Sequence, residues 1–177
     1  PRVRLFEIGR KFLLDGGSLT EVNPVAGVAA GPAMPEQWGA RHADVDFFDV
    51  RSDVEALLRT TGALHSFSFV PAEHPALHPG QAARILRDGR PVGWIGRLHP
   101  EIERRLELTY SALVFELETE SGLAAALPQH AEISRFPAVR RDLAVVVAEA
   151  VPVQGLLDAV RRSAGELLTG LVVFDIY

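Results

Sequence analysis

Residue types able to do chemistry fall in four places along this sequence. His74 and His78 stand four positions apart, a spacing that on a helix turns two imidazoles toward one zinc ion. Pro75 and Pro79 follow them, and proline forbids that helix. Glu73 precedes the pair instead of lying inside it, so the metalloprotease pattern is not met. An ordered surface loop from Pro71 to Gly80 is the expectation, with no metal. Gly93-Trp94-Ile95-Gly96 sets two glycines near a strand end. A phosphate loop needs several free backbone N–H groups leading into a helix. Close packing of strands in a hairpin fits these glycines better.

Glu116 and Glu118 share one face of a strand, because side chains alternate. Such a pair can bind magnesium or share a proton, or simply make a polar strand face. Arg135, Arg140 and Arg141 gather near one joint, and Arg161 and Arg162 lie on a later helix. Guanidinium groups match phosphate oxygens, which makes these arginines candidates for a nucleic-acid backbone. Structural pairing, for example of Arg141 with Asp142, is the equal alternative. No Ser-His-Asp set, lysine nucleophile or Walker motif is visible, and Lys11 is the sole lysine. No catalytic, cofactor-binding or metal-binding residue is therefore assigned.

The elements that hold these residues follow from periodicity and turn signals. Strands are expected at residues 3–8 and Asn23 to Gly31, with Asp15-Gly16-Gly17 as the turn between extended segments. A helix over about 47–61 carries Val50, Val54, Leu57 and Leu58 on one stripe, capped by Asp46 or Asp49 and ended by Gly62. His65 to Val70 alternates as a strand with Phe67 and Phe69 on one face. Residues 82–87 and 92–98 flank Asp88-Gly89 as a hairpin. Pro100 opens a short helix with Glu101 at its positive end. A strand at 112–118 and a short helix at 119–127 follow. Beyond a linker at 128–137, the expectation is a strand at Asp142 to Val147, a helix from Pro152 to about Ala164 and a strand at Leu171 to Tyr177. The fold class is thus α+β: a mostly antiparallel sheet with helices, then a partial ferredoxin-like β-α-β unit whose sheet needs a second half.

Bulk properties narrow the function classes. At 177 residues the chain holds one domain, or one and a small second piece. With 47% hydrophobic and 23% charged residues it has ordinary globular composition. No apolar run approaches the roughly 20 residues of a membrane-spanning helix. A net charge of −5 argues against general polyanion binding. The absence of cysteine removes disulfides and thiol chemistry and suits a reducing compartment. The start, Pro1-Arg2-Val3, is neither an initiator nor a signal peptide and reads as cut from a longer chain.

Four stretches then carry a resemblance. They are Arg4-Leu5-Phe6-Glu7-Ile8-Gly9-Arg10-Lys11-Phe12, Val45-Asp46-Phe47-Phe48-Asp49-Val50, His78-Pro79-Gly80-Gln81-Ala82-Ala83 with Gly96-Arg97-Leu98-His99-Pro100-Glu101, and Ser134-Arg135-Phe136-Pro137-Ala138-Val139-Arg140-Arg141-Asp142-Leu143-Ala144. Their order and spacing resemble the C-terminal region of the bacterial phenylalanyl-tRNA synthetase beta subunit. Ala82 stands where that family often has serine.

The resemblance implies a class II synthetase catalytic-like domain at 1–127, partial and without chemistry of its own. It implies a linker at 128–137 and the first half of a ferredoxin-fold anticodon-binding domain at 138–177. It further implies a cytoplasmic (αβ)₂ ligase, off the membrane, in which an alpha subunit activates phenylalanine with ATP and Mg²⁺ and charges tRNA(Phe). This piece alone would be inactive and hold no cofactor. The resemblance gives the second domain a tRNA role without naming its residues; guanidinium chemistry places the contacts at Arg140, Arg141, Arg161 and Arg162. Acids at Glu116 and Glu118, where ATP wants cations, agree with a silent site. A stand-alone nucleotide- or RNA-binding α+β module is the alternative. An apolar patch on residues 1–127, meant for a partner, is also expected.

Overall fold

The computed structural model describes residues 1–39, 43–125, 127 and 135–176. The chain divides into two compact units, Pro1–His130 and Ala131–Tyr177. Most of the expected linker, residues 128–134, lies outside the described residues.

In the first unit the strands are β1 (Val3–Ile8), β2 (Lys11–Asp15), β3 (Ser18–Val22), β4 (Pro24–Ala30), β5 (Phe67–Pro71), β6 (Leu77–Arg87), β7 (Arg90–Leu98) and β8 (Ala112–Glu118). Six of them form an antiparallel sheet in the order β1-β4-β8-β7-β6-β5. The long partner of β4 is β8, which brings distant stretches of sequence into register. β2 and β3 pair only with each other, as a separate hairpin. This differs from the expected single turn between two strands. The hairpin lies outside the main sheet and exposes Phe12, Leu13, Leu14 and Leu19. Without a buried face, its sequence carries no alternation to read.

Helix α1 (Phe47–Arg59) begins as the sequence predicts, with both aspartates at work. Phe48 N–H and Asp49 N–H donate to Asp46 Oδ1 at 2.8 and 2.9 Å, and Asp46 N–H donates to Asp49 Oδ2 at 2.9 Å. This reciprocal capping box satisfies donors that the helix itself cannot. Gly62, at φ 73°, turns the chain away after the last turn. Val50, Val54 and Leu58, one helical turn apart, are buried against Val25, Ala29, Ala83, Ile85, Ile95, Leu113 and Leu117 of the sheet. Burial of each such side chain contributes about 1.5–3 kcal/mol. One sheet face is therefore core.

The β6–β7 hairpin turns at Asp88 and Gly89, whose φ values of 49° and 77° suit the mirror-image turn that strand twist favours. β6 starts at Leu77, earlier than expected, with a register irregularity between Leu77 and Ala82. The expected loop at Pro71 to Gly80 is thus shortened. Helix α2 (Pro100–Arg105) is capped by His99, whose Nδ1 accepts Glu101 N–H at 3.2 Å. Helix α3 (Thr119–Gly122) is shorter than expected, and Ala126 lies outside the described residues.

The second unit holds α4 (Val153–Ala164), with Leu156, Leu157 and Val160 half-buried, followed by a 3-10 turn at Gly165–Leu167. The strands expected at Asp142 to Val147 and Leu171 to Tyr177 form no ladder among the described residues. In a split β-α-β arrangement the two strands do not pair with each other. Their side-chain pattern therefore reads as strand while no neighbour supplies hydrogen bonds. No described helix is long and apolar enough to cross a membrane.

Candidate functional site

The sheet face away from α1 carries the larger groove of the first unit. Strand register arranges it in rows. Glu7 lies opposite Ala26, Ala26 opposite Glu116, Glu116 opposite Trp94, and Trp94 opposite Arg84. Two residues along, Leu5, Val28, Val114, Gly96 and Ala82 form a parallel row by the same pairings. Directly paired residues share a face, so a charged row borders an apolar one. The groove encloses about 630 Å³, with Leu77 and Leu98 at its far side.

Two elements stiffen its ends. Trp94 is braced by the Arg84 guanidinium, 3.6 Å from the ring centroid, and by the His74 ring at 4.7 Å, edge-on. Lys11, reaching in from the β2–β3 hairpin, makes an ion pair with Glu116. Glu7 makes no ion pair among the described residues. The two acids that the sequence sets on one strand face have different partners: Glu118 accepts the Ser121 hydroxyl at 2.7 Å. Glu7 and Lys11 were missed as site residues. Alternation alone places Glu7 on the face of Leu5, but only the β4–β8 register sets it across from Glu116.

The two glycines of the 93–96 stretch are mid-strand. A Cβ on Gly93 would lie 2.3 Å from the Glu116 carbonyl oxygen, and one on Gly96 2.6 Å from that of Gln81. Both glycines are needed for strand approach, as the hairpin reading holds, and this stretch leads into no phosphate cradle. His74 and His78 each accept a local backbone N–H at Nδ1, from Ala76 at 3.2 Å and from Gly80 at 3.0 Å. Among the described residues no group of three or more His, Asp or Glu is placed to hold a metal ion.

A buried charge lies apart from the groove. Glu103 on α2 accepts Arg97 Nη2 at 2.9 Å, Arg97 Nε at 3.4 Å and Ala112 N–H at 3.0 Å. Burial pushes its carboxyl up, but the hydrogen bonds from Arg97 and Ala112 and the positive charges of Arg97 and His78 outweigh that, so the group titrates below the ordinary carboxylate range. The Arg97 guanidinium is shifted upward, chiefly by its hydrogen bond to Glu103. A smaller hollow of about 200 Å³ beside it is lined by Asp44, Gln81, Tyr110 and Ser111.

In the second unit, Arg140 and Arg141 are exposed on the extended stretch before α4, and Arg161 and Arg162 are exposed in its last turn. Arg161 Nη1 donates to Asp158 at 3.1 Å. The alternative pairing of Arg141 with Asp142 is not formed. Arg140, Arg141 and Arg162 make no ion pair among the described residues.

Comparison with known proteins accounts for both units. Residues 1–119 match the family model of the phenylalanyl tRNA synthetase beta chain CLM domain, and residues 134–177 that of the ferredoxin-fold anticodon binding domain. The phenylalanine–tRNA ligase beta subunit of Pseudomonas syringae pv. tomato is 49% identical over 176 residues, which is 99% of this chain and 22% of that protein. That of Methylococcus capsulatus is 51% identical over the same shares, and that of Burkholderia lata is 49% identical over 98% of this chain and 23% of its own length. The chain thus spans under a quarter of the length of the curated relatives it matches. Among solved structures, the pyrrolysyl tRNA synthetase PylSc of Desulfitobacterium hafniense aligns at a TM-score of 0.47 with 13% identity, over 70% of this chain and 41% of that one.

Proposed function

Because the chain belongs to the phenylalanine–tRNA ligase beta-subunit family, we propose that it is a non-catalytic part of such a subunit. In this reading a catalytic-like module (1–127) is joined by a linker (128–137) to the start of an anticodon-binding module (138–177). The carrying observation is the order of the two family matches along one chain, at 1–119 and then 134–177. The holoenzyme would pair this subunit with an alpha subunit in an (αβ)₂ assembly in the cytoplasm. There the alpha subunit would use ATP and Mg²⁺ to activate phenylalanine for transfer to tRNA(Phe).

Charge supports the silent role of the first module. A site for ATP stabilises phosphates with cations. The groove instead offers Glu7 and Glu116, and the nearby Lys11 is already paired with Glu116. Polyphosphate there would meet like charge at short range. The apolar patch expected on this module is supported by Leu5, Phe6 and Ile8 of edge strand β1 and by Phe12, Leu14 and Leu19 of the hairpin, all largely exposed. An alpha-subunit surface would cover such residues.

For tRNA we assign Arg140, Arg141, Arg161 and Arg162, whose exposed guanidiniums suit phosphate oxygens. Full-length beta subunit with all four changed to Gln, assembled with its alpha partner, tests this. Each lost phosphate contact removes about 0.7–0.9 from the slope of log K against log salt. A shallower slope for tRNA(Phe), with amino-acid activation unchanged, is expected; an unchanged slope refutes the assignment. Micromolar ATP binding by the 177-residue chain itself would overturn the silent-site reading.

A further inference from the structure

The outer edge of β1 carries backbone groups that no other strand of the first unit uses. We propose that this edge receives an added β-strand from the alpha subunit, so that the six-stranded sheet continues across the subunit boundary. The inference rests on the reading above, in which an alpha-subunit surface covers Leu5, Phe6 and Ile8, and it gives that contact a geometry.

β1 is the end strand of the sheet, and its register with β4 runs unbroken from Val3 opposite Ala30 to Ile8 opposite Val25. One position further, Gly9 N–H donates to the Pro24 carbonyl at 3.2 Å. In an antiparallel ladder, residues bonded to the neighbouring strand alternate with residues whose groups point away from it. Counting back from Gly9, it is Glu7, Leu5 and Val3 that bond to β4. Arg4, Phe6 and Ile8 therefore turn their N–H and C=O groups outward. Sheets guard such an edge with proline, a bulge, a charge or a cover. Val3 to Ile8 holds no proline and no bulge. Arg4 is drawn back onto the carbonyls of Val3 and Ala33, at 3.1 and 3.4 Å. The strand at the opposite end of the sheet, β5, does end in a proline, Pro71. An unguarded row of outward groups is the template that strand addition needs.

Side chains say what kind of strand fits. Leu5 lies on the groove face of β1, and Phe6 and Ile8 lie on the α1 face, all largely exposed. An incoming strand thus meets apolar side chains on both of its faces. Glu7 makes no ion pair among the described residues, so the residue opposite it is a cation, and those opposite Leu5, Phe6 and Ile8 are apolar. A second copy of β1 does not meet this pattern. Two copies pair antiparallel about a two-fold axis only with like faces together. Glu7 would then stand opposite Val3, Leu5 or the other Glu7, never a cation. Charge complementarity therefore favours a strand from a different chain, and the alpha subunit is the partner already assigned to this surface.

The test uses the full-length beta subunit with its alpha partner. Phe6→Ala removes the side chain and keeps the outward N–H. Phe6→Pro removes that N–H as well, at an edge position where proline breaks no bond to β4. Subunit dissociation is measured by dilution of a complex carrying a fluorescent label on the alpha subunit. Phe6→Pro should weaken assembly at least about tenfold more than Phe6→Ala, with the circular dichroism of the free beta subunit unchanged. Hydrogen exchange of the wild-type pair, which needs no variant, should slow on assembly at three amides between Val3 and Ile8. Equal effects of Pro and Ala, with no new amide protection, overturn strand addition and leave side-chain docking of the alpha subunit standing. Assembly indifferent to both variants overturns the alpha-subunit reading of this surface as well. Protection of the three amides already in the free beta subunit means that its own chain or a second copy fills the edge, and overturns the proposal.

Discussion

Replacing Glu103 with Ala tests how the first unit is locked together. The carboxylate ties α2 to β7 through Arg97 and to the start of β8 through Ala112 N–H. Side-chain exposure is 11% for Glu103 and 29% for Arg97, so water can recover only part of what is lost. Breaking a buried pair costs about 3–5 kcal/mol when one charge is left behind. The partial exposure of Arg97 lowers that, and the stranded Ala112 N–H adds about 1 kcal/mol or more, for about 3 kcal/mol in all. Glu103→Gln keeps an acceptor for Ala112 and should cost about half as much. With a urea m-value of about 2 kcal/mol/M, Ala lowers the midpoint by about 1.5 M. Tryptophan fluorescence is the assay, since Trp38 and Trp94 both lie in this unit.

The same pair dictates a pH dependence. The folded carboxyl titrates below its unfolded value, so its stabilisation is complete above the unfolded value, about 4.3. It is lost as pH falls through the lower folded value. Wild type should lose stability on acidification more steeply than Glu103→Gln. Arg97→Met with Glu103→Met, which removes both charges, should be less damaging than Glu103→Ala. Equal, sub-kcal/mol effects of Ala and Gln, or a double variant worse than the sum of its singles, would refute the reasoning.

Four further outcomes are expected. Gly93→Ala would force a Cβ to 2.3 Å from the backbone oxygen of Glu116; a loss of about 2–3 kcal/mol by urea denaturation checks it. Asp46→Ala removes the side chain that caps Phe48 and Asp49 N–H, and should cost about 1 kcal/mol, visible as a thermal shift of the first unit. Gly89→Ala strains a turn residue at φ 77° and should cost about 1–2 kcal/mol, while Gly155→Ala, inside α4 with open space around its Cβ, should not destabilise the second unit.

What the sequence made legible follows from where burial leaves a pattern. Helix α1 shows its boundaries because Asp46, Asp49 and Gly62 act locally, and its face because Val50, Val54 and Leu58 repeat with the helix. The β6–β7 hairpin announces itself through Asp88-Gly89. β2 and β3 do not, since residues solvated on both faces need no alternation. The stretch at Asp142 to Val147 shows the converse. Val145, Val146 and Val147 have strand composition, yet they are exposed and unpaired. β-propensity measures fit to a half-buried pleated surface, and a ladder also needs a neighbour.

The groove lies at the limit of such reading. Glu116 and Glu118 look like a pair because two positions separate them along one strand. What neighbours Glu116 in space is set across strands, by Ala26 and Glu7 on one side and Trp94 on the other. Those residues are scattered from position 7 to position 116, and only the β4–β8 and β7–β8 registers bring them into one row. A one-residue slip of β4 against β8 would turn Ala26 and Val28 into the core and Val25 and Ala29 out to solvent. Burial of Val25 and Ala29 at 5% and 3% exposure forbids that slip. The core packing of α1 thus fixes the acid–apolar arrangement on the opposite face.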